Sequence, residues 1–181
     1  MKKIISLTVA SLLMILALVG CGKKESPADS NVIKIGVFEP VTGANAGGAI
    51  WEIEGIKLAN KLYPEVLGKK VELVIVDNKS DKVEAANAAS RLVDKENVNA
   101  VIGSYGSSLS IAGGEIFKNA KIPAVGASCT NPMVTLDNEY YSRVCFIDPF
   151  QGTVMANYAF GKLNAKKVAI VQEVSNDYAV G

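Results

Sequence analysis

An α/β fold, a parallel sheet flanked by helices, is predicted by two features of the chain downstream of residue 31. Short apolar runs alternate four times with segments whose apolar residues recur every three or four positions, the periods of strand and amphipathic helix. The runs are almost uniformly apolar, so the sheet is expected to carry helices on both faces.

The first strand is expected at residues 32–38, VIKIGVF. After a Gly/Ala/Asn loop, residues 51–63 place Ile53, Ile56, Leu58, Ala59 and Leu62 along one helical stripe that Pro64 ends. A second strand covers 71–76 and closes at Asp77-Asn78. Asp81 followed by Glu84 resembles a capping box for a helix through residue 96, with Val83, Ala86, Ala89 or Ser90, and Val93 as its buried stripe. Residues 100–102 form a third strand, 110–119 a third helix with Ile111, Ile116 and Phe117 available to pack, and 122–125 a fourth strand. Another strand is expected at 140–147, broken by Asp148-Pro149, then a helix at 150–163 and a strand at 167–171. A lone helix and strand cannot bury their own faces, so this last unit reads as cut off and the chain as a fragment.

In open parallel sheets, ligands gather at the carboxyl ends of the strands. That selects four loops, at residues 39–50, 77–81, 103–108 and 126–132. GSYGSS, from Gly103 to Ser108, opens a helix whose backbone N–H groups and serine hydroxyls suit an anion such as a carboxylate. Equally, Ser107 or Ser108 could simply cap that helix. GASCTNP, from Gly126 to Pro132, offers hydroxyls and carbonyls to an ammonium group and the Thr130 N–H to an anion, or is an ordinary polar turn closed by Asn-Pro. Donors and acceptors side by side are what the two charged ends of an amino acid require. Asp77 and Asp81 read as a solvated strand end and a helix cap rather than as paired acids, and Trp51 is either core or cleft border.

Composition excludes several classes. The sequence has no histidine, which removes a Ser-His-Asp triad and the commonest metal ligand. Neither a Walker loop, a GxGxxG spacing nor a nucleophile elbow is present, so no cofactor and no metal are expected and an enzyme is disfavoured. Cys129 and Cys145 are 16 residues apart with no CxxC spacing; they are either a pair or two small buried residues.

The amino terminus carries an address. Met1-Lys2-Lys3 precedes an apolar run from Ile4 to Val19 that is interrupted by Ser6, Thr8 and Ser11, shorter than a spanning helix and patterned as an export signal. An uncleaved signal anchor is the competing reading. Leu18-Val19-Gly20-Cys21 matches the bacterial lipobox, which implies that residues 1–20 are a lipoprotein signal peptide and that Cys21 is lipidated and becomes the first mature residue. The polar, proline-containing stretch to residue 31 is then a flexible linker. Removing Lys2 and Lys3 from 19 basic residues leaves 17 against 18 acidic ones, a balance that offers no electrostatic case for nucleic acid.

The order of motifs, IKIGVFEPVTGANA, Glu54-Gly55 with Leu58-Ala59, LVIVDNKSD, AVIGSYGSS, IPAVGASCTNP, RVCFIDPFQG and NDYAVG, resembles the solute-binding lipoproteins of branched-chain amino acid ABC transporters. That is the leucine/isoleucine/valine-binding family, with the type I periplasmic-binding-protein fold. The resemblance implies a first ligand-binding lobe at residues 32–146 and a hinge crossing with the start of a second lobe at 147–181. It implies an amino acid ligand, an ABC permease partner and an extracytoplasmic, membrane-tethered location. Position by position, it places the carboxylate-binding serine on Ser107, the ammonium-facing carbonyl on Ser128, the threonine touching both charged ends on Thr130, and an aromatic of the second lobe on Tyr178. The acidic partner of the ammonium would fall beyond Gly181. Ala44 and Gly48 stand where relatives often carry a proline and an aromatic, and Ala179 replaces a glycine. A ligand-sensing lipoprotein without a transport role is the alternative, and a secreted hydrolase or redox enzyme a third.

Overall fold

The computed structural model describes residues 31–181. The signal peptide, Cys21 and most of the linker, expected at residues 1–30, lie outside the described residues. The elements run β1 (Val32–Glu39), α1 (Ala46–Leu62), β2 (Glu65–Val66), β3 (Lys69–Asp77), α2 (Lys82–Asp94), β4 (Ala100–Ile102), α3 (Ser107–Ala120), β5 (Ala124–Gly126), a 3₁₀ turn (Pro132–Val134), β6 (Tyr141–Arg143), α4 (Asp148–Gly161) and α5 (Asp177–Val180).

One six-stranded sheet has the order β2-β3-β1-β4-β5-β6. All pairings are parallel except β2 with β3. The expected parallel sheet is therefore correct for five strands, and the short β2 adds an antiparallel edge. Strand alternation sorts the faces. Gly36 and Phe38 point to α2 and α3: a Cβ on Gly36 would lie 3.1 Å from Leu92, and the Phe38 ring approaches Gly113. Phe38 meets Phe117 edge-on at 5.4 Å, a favoured aromatic geometry, within a core that also holds Leu92, Val101, Leu109 and Tyr141. On the opposite face Ile33, Ile35 and Leu73 share an apolar groove with Ile56 and Ala59 of α1 and with Tyr63 just after it.

Several expected bounds move. Helix α1 begins at Ala46 rather than at residue 51 and buries Ala49 and Ile53, while Leu58 and Leu62 stay exposed. Trp51 is 78% exposed, so it is neither core nor cleft border. In α2 the buried stripe is Ala85, Ala88, Ala89 and Leu92, and Val83 faces out at 68% exposure. The spacing of that stripe is as helical as the expected one, and its alanines let the helix lie close to the sheet. Asp81 caps α2 through Val83 N and Glu84 N. The reciprocal half of a capping box does not form, because the Glu84 carboxylate pairs with Lys79 at 3.1 Å.

Helix α3 starts at Ser107, three residues before the expected start, and β5 at Ala124, two after it. The expected strand at 140–147 shortens to Tyr141–Arg143. Residues 167–171 are not a strand; Val168, Ile170 and Val171 are exposed at 74%, 89% and 100%. A β-prone run forms a strand only beside a neighbour that completes its ladder. Among the described residues no helix is long and apolar enough to cross a membrane.

Candidate functional site

The loops after β1, β3, β4 and β5 meet at the carboxyl ends of the parallel strands and line a cavity of about 850 Å³. Ser107, Ser128, Thr130 and Tyr178, the four residues singled out by sequence, all lie on its wall. The volume falls within the usual range for small-molecule sites.

Hydrogen bonds lock the loops pairwise. Asp77 accepts from Val41 N at 2.9 Å, Thr42 N at 3.1 Å, the Thr42 hydroxyl at 2.6 Å and Lys79 N at 2.8 Å. It is thus a structural pin, not a solvated strand end. Its desolvation, which alone would raise the carboxyl, is outweighed by the Thr42 hydroxyl and these backbone donors, which hold it below its ordinary value. Ser80 adds a bond from its hydroxyl to Thr42 O at 2.8 Å and accepts from Asn45 N at 3.0 Å. Gly43, at φ 89°, lets the two loops touch, since a Cβ there would sit 2.6 Å from Lys79 O. Between the second and third loops, the buried Asn78 amide donates to Ser104 Oγ at 2.8 Å.

Neither Ser107 nor Ser108 caps α3; Gly106 occupies the N-cap and no side-chain cap bond forms. Ser107 Oγ instead accepts from Asn131 N at 3.1 Å, and Ser108 Oγ accepts from Asp177 N at 3.0 Å. The Ser107 hydroxyl proton therefore remains available beside the N-terminus of α3, a place that favours an anion. Thr130 is buried, and its Oγ1 has no partner. Such an orphan on a cavity wall is open to a partner from within the cavity. The Ser128 hydroxyl donates to Glu52, so its oxygen is left to accept.

Arg143 holds the fourth loop in shape. Its guanidinium donates to the carbonyls of Cys129 at 2.9 Å, Asn131 at 2.8 Å and Pro132 at 3.2 Å, and to the Thr135 hydroxyl at 2.7 Å. Tyr178 reaches the cavity from α5, which Asn176 caps by accepting from Tyr178 N at 3.0 Å. Lys82 and Asp177 pair at 2.8 Å across the same edge. Tyr105 fills the space left by Gly48: a Cβ at residue 48 would lie 2.3 Å from the tyrosine ring.

Cys129 and Cys145 are both free. Burial pushes the Cys129 thiol up to about 11, the state of an inert structural thiol. No group of three or more His, Cys, Asp or Glu side chains that could hold a metal occurs among the described residues. Sequence reasoning missed Glu39, Glu52 and Arg143 as supports of the site. A charged residue closing an apolar strand, as Glu39 does before Pro40, was a signal that could have been used.

A parallel sheet with a polar cleft at its strand ends and paired donor and acceptor hydroxyls defines a small-molecule binding protein. Residues 32–181 match the family described as periplasmic binding protein, and the chain belongs to that family. It is a family of binding proteins rather than of enzymes. An amino acid binding protein from Pseudomonas aeruginosa is 36% identical over 151 residues, which cover 78% of this chain and 39% of that protein. The crystal structure of a leucine binding protein, LivK, from Thermotoga maritima superposes with a TM-score of 0.79 at 48% identity, covering 82% of this chain and 43% of that one. The branched-chain amino acid transporter substrate binding protein LivJ from Streptococcus pneumoniae, solved in complex with isoleucine, superposes at 0.78 with 34% identity, covering 82% and 44%. The chain thus spans about two fifths of the length of these relatives, and the shared fold is the type I periplasmic-binding-protein fold, represented here by its first lobe.

Proposed function

We propose that the protein is an extracytoplasmic substrate-binding lipoprotein that captures an amino acid, of the branched-chain class, and delivers it to an ABC transporter permease. In this reading residues 1–20 are a signal peptide, Cys21 carries the lipid, and 21–31 are the leash. Residues 32–146 form the first lobe; 147–181 cross to the second lobe and open it.

The observation that carries the reading is the unpartnered Thr130 hydroxyl on the same cavity wall as Ser107 and Ser128. Ser107 and Thr130 have hydroxyl protons to give to a carboxylate, and the Ser128 oxygen is turned to accept from an ammonium group. Tyr178 brings an aromatic surface from the far side. Relatives named for leucine, isoleucine and valine support the ligand class. Closure of two lobes over the ligand would exclude water and shift the open and closed populations, giving the permease a form to recognise. A lipid at Cys21 would keep the loaded protein near that permease at high effective concentration. Calorimetric titration of the full-length protein with each of the twenty amino acids tests the reading; saturable binding of leucine, isoleucine or valine is expected, and no binding of any amino acid refutes it.

A further inference from the structure

Two carboxyl groups meet beneath the cavity. Glu39 closes β1 and is fully buried, and Glu52 lies in the second turn of α1. Each commits one oxygen to a residue of the cavity wall. Glu39 Oε2 accepts from Tyr105 N at 2.7 Å, and Glu52 Oε1 accepts from the Ser128 hydroxyl. Their other oxygens, Glu39 Oε1 and Glu52 Oε2, are buried without a donor, and Glu52 is the charged neighbour that acts on Glu39. A proton between two such acceptors satisfies both together.

We propose that Glu39 and Glu52 share one proton, Glu39 as the acid and Glu52 as the carboxylate, and that the pair positions the Ser128 hydroxyl as an acceptor for the ammonium group of the ligand. The ammonium half rests on the amino acid reading above; the shared proton does not.

Like charges in contact away from water cannot both persist, so one of the two acids stays neutral. Burial first, and then the charge of Glu52, push Glu39 up to about 9 against the pull of the Tyr105 N–H, which places the proton on Glu39 at neutral pH. Glu52 then carries the charge and takes the Ser128 proton, so the Ser128 lone pairs face the cavity. Among the described residues no carboxylate accepts a hydrogen bond from Ser107 or Thr130, and their protons remain to give. The pair thus divides the cavity into an acceptor side with negative charge behind it and a donor side. Other ionisable groups near the pair are Tyr141 on β6, on which Glu39 acts, and Cys145 after β6, on which Glu52 acts. Burial raises both, so neither offers a competing anion at neutral pH. Glu39 and Glu52 are positioning residues, since neither is on the cavity wall.

The test uses the full-length protein. Carbon-13 carboxyl spectra without ligand, followed from about pH 4 to 10, should show one side-chain carboxyl titrating far above the ordinary glutamate range, and Glu39→Gln should remove that signal. If all glutamates titrate below about pH 6, the shared proton is refuted. Calorimetry with L-leucine then reads the positioning role. Glu52→Gln should weaken binding at neutral pH by roughly tenfold or more, and an unchanged affinity overturns the role of the pair behind Ser128. Above neutral pH the ammonium of leucine itself titrates, so the comparison is between proteins: wild-type affinity should fall less steeply than that of Glu39→Gln, because loss of the Glu39 proton adds negative charge behind Ser128 while the amide stays neutral, and parallel profiles count against the proposal. Should neither leucine nor any other amino acid bind the wild type, the amino acid reading fails while the carboxyl spectra still decide the shared proton.

Discussion

Ser107 Oγ accepts a hydrogen bond from Asn131 N at 3.1 Å, which ties the first residue of α3 to the loop after β5. One side chain thus aligns the anion-favouring helix start with the loop that carries Ser128 and Thr130, and still has its proton to give. Ser107→Ala should therefore lose both roles, weakening amino acid binding by ~1.5–3 kcal/mol, the range for a hydrogen bond to a charged group. Thr130→Val removes only an unpartnered hydroxyl; it should weaken binding comparably while leaving the melting temperature of the ligand-free protein unchanged or raised. Calorimetry and thermal melts on the full-length variants check both.

Arg143 bridges three carbonyls and one hydroxyl. Arg143→Ala should cost ~2–3 kcal/mol of stability, because partly buried carbonyls lose a charged donor. Arg143→Lys should recover little of it, since an ammonium cannot span the same acceptors as a planar fork. Urea unfolding midpoints measure the cost.

Asp77 is held below its ordinary carboxyl value by the loops it pins. For a depressed acid the stabilisation is present above the unfolded value, near 3.8, and is lost as pH falls through the lower folded value. Asp77→Asn should thus be destabilising at neutral pH, with the gap to wild type narrowing in acid below that value. Thermal melts of both proteins across the acid range read the effect, and a constant gap would contradict it.

These residues also mark how far the sequence could be read. The strands at 32–38, 71–76 and 100–102 and the helix after Asp81 follow from local periodicity and capping, which need no knowledge of distant partners. Residues 167–171 have the same β-prone character and form no strand, because pairing is a property of two segments. Helix α1 begins at a glycine-rich stretch, Gly47-Gly48, that reads locally as loop, and Tyr105 occupies the room Gly48 leaves. The site divides in the same way. The loops of Ser107, Ser128 and Thr130 are legible because they follow strand ends, and the family resemblance picks those residues out within them, whereas Glu52 and Arg143 act on residues in other loops and carry no local mark, and Glu39 shows only as a charge closing an apolar strand. Asp77 reads locally as solvated, because its main partners, Val41 and Thr42, lie 35 to 36 positions away.

Cys21 lies outside the described residues, and its role rests on the lipobox match alone. Cys21→Ser should release the protein from the membrane fraction into the soluble extracytoplasmic fraction. Fractionation followed by immunoblotting checks this, and persistent membrane association would restore the signal-anchor reading.

The central claim, that the cavity between the four loops is an amino acid site, is tested most directly by calorimetry of the full-length wild type and its Ser107→Ala and Thr130→Val variants with leucine, isoleucine and valine. The account predicts saturable binding of at least one of the three by the wild type and a loss of roughly tenfold or more in both variants. Wild-type affinity retained in both variants, or no binding by the wild type, would contradict it.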